Sequence, residues 1–263
     1  MAILLLTSAG GSPGVTTLAV GLSLTWPRPV LLVDADPGAH QAVLAGYLAG
    51  RSAGGRGLLR VAEAHRDHRP LREVVIDQTI ALSEEEPTPR RFLPGFTKPG
   101  SAAHFASVWE ELAEAFDGLA EVDIDVIIDC GRLSTAGLPG PLVDRSAVTV
   151  LMLQSNLRAI MSARTYLPTL RDHARLGAND PGQLGLIVRG EGQPYGRGEI
   201  SKSLGVPVLA DIVSDPQHAG CLSDGRPPAR RFEVSSLMRS VRDASTQLAS
   251  IVQRSTELAR SGS

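Results

Sequence analysis

The chain has 263 residues, of which 43% are hydrophobic and 21% are charged, and its formal net charge is −2. This composition excludes disordered, collagen-like and disulfide-stapled proteins. No apolar run approaches the roughly 20 residues that cross a bilayer, and no basic segment precedes the apolar N-terminus, so we expect neither a membrane span nor a secretory signal. Cys130 and Cys221 are too few for a disulfide framework, which predicts a cytoplasmic protein.

The N-terminal part of the chain reads as a strand, a glycine-rich turn, a helix and a second strand. Residues 3–7 form a continuous apolar run, which is typical of a strand that is buried on both faces. A turn at residues 8–14 follows, then a short apolar helix over 16–24 and a second buried strand over 30–34. A unit of this length predicts a βαβ crossover.

Apolar runs and helical patterns alternate along the rest of the chain. Further strands are predicted at residues 91–93, 125–129, 147–153, 184–188 and 207–212. Helices are predicted at residues 101–119, at 157–176 with an interruption at Pro168, and at 235–259.

This alternation predicts an α/β fold. We expect a doubly wound, mostly parallel sheet of about seven strands with helices on both faces. Residues 1–263 are predicted to form a single domain. Its least regular part is an arginine- and proline-rich segment at about 50–90, which includes a surface loop at 84–89.

The glycine-rich turn has the composition of a phosphate-binding loop. A turn between a buried strand and a helix points backbone N–H groups and the helix N-terminus at one spot. Here the turn ends Gly14-Val15-Thr16-Thr17, whereas the usual phosphate loop has a lysine where Val15 stands. Taken alone, the turn is equally compatible with a connection that binds no ligand.

Three aspartates follow predicted strands near this turn. Asp34 and Asp36 come at the end of the strand at 30–34, and Asp129 ends the strand at 125–129. Because ligands bind at the carboxyl ends of parallel strands, we expect all three to converge on the turn. A single aspartate here commonly caps a helix, but three beside a phosphate loop are typical of magnesium and water sites. Together they predict a nucleotide site or its remnant.

These motifs resemble the ParA/MinD superfamily, the deviant Walker-A branch of the P-loop NTPases. Residues 10–17 lie over the family's Lys-Gly-Gly-x-Gly-Lys-Thr-Thr loop. VLLVDADPGA at 30–39 is similar to the family's switch I segment, and DVIIDCG at 125–131 to its Walker B segment. Residues 204–225 resemble its late strand and nucleotide-flanking loop, and the latter half of the chain also resembles the TadZ/CpaE pilus-assembly branch.

The resemblance implies a binding site for ATP or ADP with Mg²⁺. The loop would bind the nucleotide through Gly10, Gly11, Ser12, Gly14, Val15, Thr16 and Thr17. Thr16 and Asp129 would hold the metal ion, and Asp34 would support the metal site. Asp36 would orient the attacking water.

The loop departs from the family pattern at both of its lysines. Val15 stands where the family has the lysine that grips the β- and γ-phosphates, and Gly10 where it has the signature lysine that reaches across a dimer. Removing one preorganised transition-state donor commonly costs roughly 100- to 1000-fold in rate. We therefore expect weak nucleotide binding and impaired ATP hydrolysis.

An arginine could replace the missing lysine, because a guanidinium binds phosphate well. Arg132, three residues past Asp129, is the first candidate for this catalytic role, and Arg158 is the second. The alternative for each is an ordinary solvated arginine. Lys98 and Lys202 are the only lysines, and both lie far along the chain from the loop.

The sequence therefore predicts a ParA/MinD-like protein that positions or partitions cargo such as a chromosome, a plasmid, or pilus or secretion machinery. One alternative is an active ATPase that uses an arginine in place of lysine. Another is a non-enzymatic dimeric scaffold. The expected partners are a second copy of the chain and an unidentified cargo or adaptor protein. Non-specific DNA contact stays open because of arginine-rich segments at 51–72 and 226–242, and membrane anchoring is not expected.

Overall fold

A computed structural model describes residues 3–83, 88–98, 100–134, 137–173, 184–190, 192, 194–228 and 230–261. Residues 84–87 of the predicted surface loop at 84–89 lie outside this part of the chain. So do the last three residues of the helix that the sequence predicts at 157–176.

The protein is built on one eight-stranded sheet. Its strands are β1 (Ile3–Ser8), β2 (Val30–Asp34), β3 (Ile80–Ala81), β4 (Arg90–Leu93), β5 (Asp125–Arg132), β6 (Val148–Gln154), β7 (Leu184–Arg189) and β8 (Val208–Ile212). They lie in the order β3-β4-β2-β5-β1-β6-β7-β8, and only β3 is antiparallel to its neighbour. The mostly parallel sheet and the seven predicted strands are confirmed, and β3, with two residues, is the additional strand.

Helices cover both faces of this sheet. In the described residues they are α1 (Val15–Thr25), α2 (Leu58–Arg66), α3 (Leu71–Val74), α4 (Trp109–Gly118), α5 (Gly140–Asp144), α6 (Leu157–His173), α7 (Arg197–Leu204), α8 (Pro216–Ser223) and α9 (Ser236–Ser261). The segment at 50–90 thus contains α2, α3 and β3. Within the described parts of the chain, no helix combines the length and apolarity that crossing a membrane requires.

The central strand β1 shows how the two faces are filled. Ile3 and Leu5 pack into one apolar core, and Leu4 and Leu6 pack into the other, because successive side chains of a strand point to opposite faces. The core around Leu4 and Leu6 is covered by α1, α8 and α9, and the core around Ile3 and Leu5 by α2 to α7. This arrangement confirms the doubly wound architecture.

Two predicted helices differ from the structure. Residues 101–119 do not form one helix: a 3-10 turn at Ser101–Phe105 is followed by α4. Phe105, at the end of this turn, packs edge-on against Phe96 and Trp109. In addition, α6 runs unbroken past Pro168, where the sequence predicts an interruption. Pro168 is exposed, so water can bind the backbone carbonyl that loses its N–H partner there.

Candidate functional site

The candidate site lies at the carboxyl edge of the central strands. β5 lies between β2 and β1, and Asp129 on β5 is in register with Asp34 on β2. The chain leaves β1 at Ser8 and enters α1 at Val15, so residues 9–14 form a loop over the same edge. The structure therefore brings the three aspartates and the glycine-rich turn together, as the sequence predicts.

The loop has a backbone conformation that favours glycine. Gly11 has a φ of 75° and Gly14 a φ of 98°, and Ser12 between them also has a positive φ, of 45°. The first residue of α1 is Val15, and the helix start has neither a side-chain cap nor an acidic residue in its first turn. The N–H groups of this first turn are therefore not satisfied by a side chain of the loop, which suits an anion.

Two side chains from the neighbouring β6 and α6 hold the loop. The amide Nε2 of Gln154 donates a hydrogen bond to the carbonyl of Gly11 at 3.0 Å. The hydroxyl of Ser162 donates one to the carbonyl of Ala9 at 3.1 Å. Both bonds use loop carbonyl groups, so they leave the loop N–H groups available to a ligand.

Asp34 and Asp129 are buried side by side. Burial, followed by the charge of Asp129, raises the pKa of Asp34 to about 8. Burial also raises the pKa of Asp129 to about 6, although hydrogen bonding from the Thr16 side chain and the Gly131 N–H opposes this shift. The Asp129 Oδ2 atom is buried and has no hydrogen-bond partner among the described residues.

Adjacent buried carboxylates with an unpartnered oxygen fit a divalent cation. Mg²⁺ is commonly bound through one or two carboxylates together with substrate phosphates. In the part of the chain that the structure describes, no group of three or more His, Cys, Asp or Glu side chains could hold a metal ion by itself. The geometry therefore fits Mg²⁺ where phosphate oxygens complete its coordination.

Asp36 is held beside these carboxylates by its own turn. Its Oδ1 accepts a hydrogen bond from the Gly38 N–H at 2.8 Å, and its Oδ2 accepts one from His40 Nδ1, also at 2.8 Å. Accepting this bond, the Asp36 carboxylate raises the pKa of the exposed His40 imidazole. Asp36 packs on the backbone of Gly131, where a Cβ atom would lie 2.4 Å from the Asp36 Cγ.

A cavity of about 320 Å³ opens on the opposite side of the loop, toward β6, β7 and β8. This volume is at the lower end of the range of small-molecule pockets. One wall consists of the loop and α1, including Gly14 and Thr17, and another is formed by the segment at 213–216. Arg189, at the end of β7, also lines it. The cavity and the aspartates thus flank the glycine-rich loop from two sides.

Known structures resemble this arrangement over nearly the whole chain. A ParA family ATPase from Chlorobium tepidum TLS has a TM-score of 0.71 at 15% identity, covering 93% of this chain and 98% of that one. MinD from Aquifex aeolicus also has a TM-score of 0.71 at 15% identity, covering 95% and 98%. A McdA variant from Cyanothece in complex with ATP has a TM-score of 0.67 at 16% identity, covering 95% and 96%. The chain has the ParA/MinD fold.

No protein-family model and no curated protein matches the sequence. At identities of 15–16%, the structural likeness establishes the fold alone. The resemblance to the TadZ/CpaE branch and the roles of the site residues stay predictions.

Val15 and Gly10, which the sequence resemblance aligns with two family lysines, belong here to the core and to the loop. Val15 is buried and packs with Leu18 and Ala19 in the core beneath α1. At Gly10, a Cβ atom would lie 3.0 Å from the hydroxyl oxygen of Ser162, so a side chain there would displace the bond to Ala9. Neither position holds a cation, and the surrounding packing suits the residues that replace them.

The arginines that the sequence offers as substitutes are both exposed. Arg132 is the last residue of β5, and Arg158 lies in the first turn of α6. Lys98 is exposed in a loop and Lys202 is exposed on α7. The structure therefore places Arg132 near the site but gives neither arginine a buried position that would orient it.

Arg189 is the cation that sequence reasoning misses. Its Nη1 atom would lie 3.7 Å from a Cβ atom at Gly14, within contact distance of the start of α1. The available signal was an arginine directly at the carboxyl end of a buried apolar strand, LGLIVR, where ParA/MinD-type folds bind ligands.

Replacing Asp34 by Asn should stabilise the protein in the absence of a divalent cation. The folded-state pKa of about 8 lies above the ordinary value of 3.8, so the folded state binds more protons, and the free energy of unfolding falls as pH rises between these values. In the Asp34→Asn variant the free energy of unfolding does not fall in this way, because Asn does not ionise. Asn can still accept the hydrogen bond from the Asp36 N–H. We expect its Tm in EDTA at pH 8 to be higher by at least about 2–4 °C, with a smaller difference at pH 5. The exposed Asp144→Asn variant is the control, and a lower Tm for Asp34→Asn at pH 8 would contradict the assignment.

Replacing Gly131 by Ala should destabilise the fold by about 1–3 kcal/mol, because Gly131 has a φ of 60° and a Cβ atom would press on Asp36. Urea unfolding measures this cost. Gly140→Ala is the matched control, since nothing lies within 4 Å of a Cβ atom there. Part of the cost should disappear in an Asp36→Ala background. An unchanged cost in that background would show that Asp36 does not pack on Gly131.

Proposed function

We propose that the chain is a cytoplasmic ParA/MinD-like positioning or partitioning protein that binds a nucleotide weakly and hydrolyses ATP slowly if at all. The observation that carries this proposal is the contrast across the phosphate loop. The metal side is retained, with Thr16 beside the buried Asp129 and an unpartnered carboxylate oxygen, whereas the lysine position is the buried Val15. The ParA/MinD fold supports the positioning role, and the partner is an unidentified cargo or adaptor protein.

The loop supports nucleotide binding through its backbone. The N–H groups of residues 10–12 and of residues 14–17 at the start of α1 would cradle the phosphates, with Thr16 and Thr17 adding hydroxyl groups. The Gly11 and Gly14 conformations keep side chains out of this space. The McdA structure with bound ATP shows that this fold accommodates the nucleotide in a relative.

Mg²⁺ would be held by Thr16 and Asp129, with Asp34 behind them. Bound there, the ion would neutralise phosphate charge and would relieve the cost of burying both carboxylates. The Asp129 Oδ2 atom supports this assignment, because a buried carboxylate oxygen without a partner costs free energy until something binds it.

Slow hydrolysis follows from the groups that would act on the transition state. Asp36 would orient the attacking water through the carboxylate lone pairs that its hydrogen bonds from Gly38 and His40 leave free. No lysine is positioned to stabilise the developing charge, and each such loss costs roughly 100- to 1000-fold. The active-ATPase alternative would require the exposed Arg132 to swing in from the end of β5.

A homodimer is supported by an apolar patch beside the loop. Leu157 and Met161 on α6 are 58% and 51% exposed and lie one turn apart. The next residue, Ser162, contacts the loop at Ala9, so the patch adjoins the candidate site. Burying this patch against a second copy of the chain would bring the two loops near each other.

Nucleotide binding should depend on Mg²⁺ and on Asp129. Calorimetry with ATP should show binding with Mg²⁺ that weakens in EDTA, and Asp129→Asn should lose about 10- to 100-fold of the Mg²⁺-dependent affinity. Asp144→Asn, which changes an exposed side chain on α5, should bind like the wild type. A phosphate-release assay should give turnover at least about 100-fold below that of ParA/MinD ATPases that have the loop lysine. Turnover equal to theirs would contradict the proposal and favour the arginine-dependent ATPase.

Leu157→Asp should weaken self-association by about tenfold or more, because it places a charge in the apolar patch. Sedimentation velocity over a concentration series measures this change. Leu59→Asp is the matched control, since Leu59 is 56% exposed but lies on α2 and not on α6. Equal effects of the two changes would show that the patch is not the dimer surface. Dimerisation that ATP does not alter would favour the non-enzymatic scaffold.

A further inference from the structure

Arg189 has a guanidinium group that the rest of the described chain does not neutralise. Its backbone is fixed at the end of β7, where its carbonyl accepts a hydrogen bond from the Ser155 N–H at 3.0 Å. Its side chain is half-buried, and loss of solvent lowers its pKa. No described residue forms a hydrogen bond or an ion pair with this guanidinium. A partly desolvated cation that has no counter-charge among the described residues suits an anionic ligand.

The guanidinium faces the first turn of α1. Its Nη1 would be 3.7 Å from a Cβ atom at Gly14, and Arg189, Gly14 and Thr17 all line the cavity beside the loop. The positive end of the helix dipole and a positive side chain thus point into the same space. Asp215, which also lines the cavity, already accepts hydrogen bonds from the backbone N–H and the ring of His218.

We propose that Arg189 binds a phosphate group of the nucleotide and supplies, from β7, the positive charge that Val15 and Gly10 do not supply. This assignment rests on the proposed nucleotide site. An arginine suits the task because its planar fork can donate two hydrogen bonds to one phosphate. The absence of a side chain at Gly14 lets the guanidinium and the helix N–H groups reach the same anion.

The position of Arg189 separates binding from hydrolysis. β7 lies two strands from β1 on one side, whereas β2, which carries Asp34 and leads to Asp36, lies two strands from β1 on the other. A cation on the β7 side holds the phosphate chain against the loop without reaching the carboxylates that would orient water. Arg189 is therefore a binding residue, and the site keeps an affinity for nucleotide that exceeds its capacity for turnover.

The test compares Arg189→Met and Arg189→Lys with the wild type by calorimetry with ATP and Mg²⁺ at low and high salt. Arg189→Met should bind about 10- to 100-fold more weakly, and its affinity should depend less on salt because one charge pair is lost. Arg189→Lys should recover part of both. The Tm of Arg189→Met should not fall, since the guanidinium forms no hydrogen bond or ion pair with a described residue. Arg66→Met, an exposed arginine on α2 across the sheet, is the control and should leave the affinity unchanged.

Four results would overturn the assignment. Wild-type affinity in Arg189→Met would remove the role of Arg189 while leaving the nucleotide site intact. A weaker affinity of Arg189→Met with an unchanged salt dependence would show that the arginine contacts the nucleotide base and not a phosphate. A weaker affinity together with a lower Tm would show that the arginine acts by supporting the folded structure. Absence of ATP binding by the wild-type chain would overturn the nucleotide site itself, and the role of Arg189 with it.

Discussion

The site is organised around the burial of two carboxylates in register on neighbouring strands. Asp34 and Asp129 lie side by side, and burial raises the pKa of both. The surrounding backbone is built close to them: at Gly95 a Cβ atom would lie 2.6 Å from the Asp34 Cγ, and at Gly131 one would meet Asp36. Such a cluster is unfavourable unless a proton or a cation compensates its charge, which supports the proposed cation site at the edge of the sheet.

In the proposed phosphate site, the positive half would differ from the family pattern more than the negative half. Val15 is part of the core beneath α1, so the position that the resemblance aligns with a lysine contributes packing instead of charge. ATP without a metal ion would approach two buried acids with no lysine to offset the repulsion, and Mg²⁺ would therefore be needed to bring phosphate to this edge. In the proposed site, Arg189 would supply a positive charge from the opposite side of the loop. Affinity and catalysis, which one lysine serves together in the family pattern, would thereby be separated.

Much of the fold and the acidic side of the site follow from the sequence, because buried parallel strands and strand-end aspartates have strong local signatures. β3 has only two residues and no pattern of its own, and Pro168 sits in a helix that tertiary packing maintains. For Arg189 the sequence holds only the weak signal of an arginine at the end of a buried strand, because its proposed role depends on which strand lies across from Gly14. That neighbour is set by the strand order, which local patterns do not encode.

The loop keeps its shape through contacts that involve no ligand. Gln154 and Ser162 bind the carbonyls of Gly11 and Ala9, so β6 and α6 hold the loop open with its N–H groups free. A site that is already ordered loses less conformational entropy when a nucleotide binds, which offsets part of the affinity lost with the lysines. The contact from Ser162 also ties α6 to the loop. In the proposed function, the α6 surface would therefore be presented to a second copy or a partner with little dependence on turnover, which makes weak catalysis compatible with a positioning role.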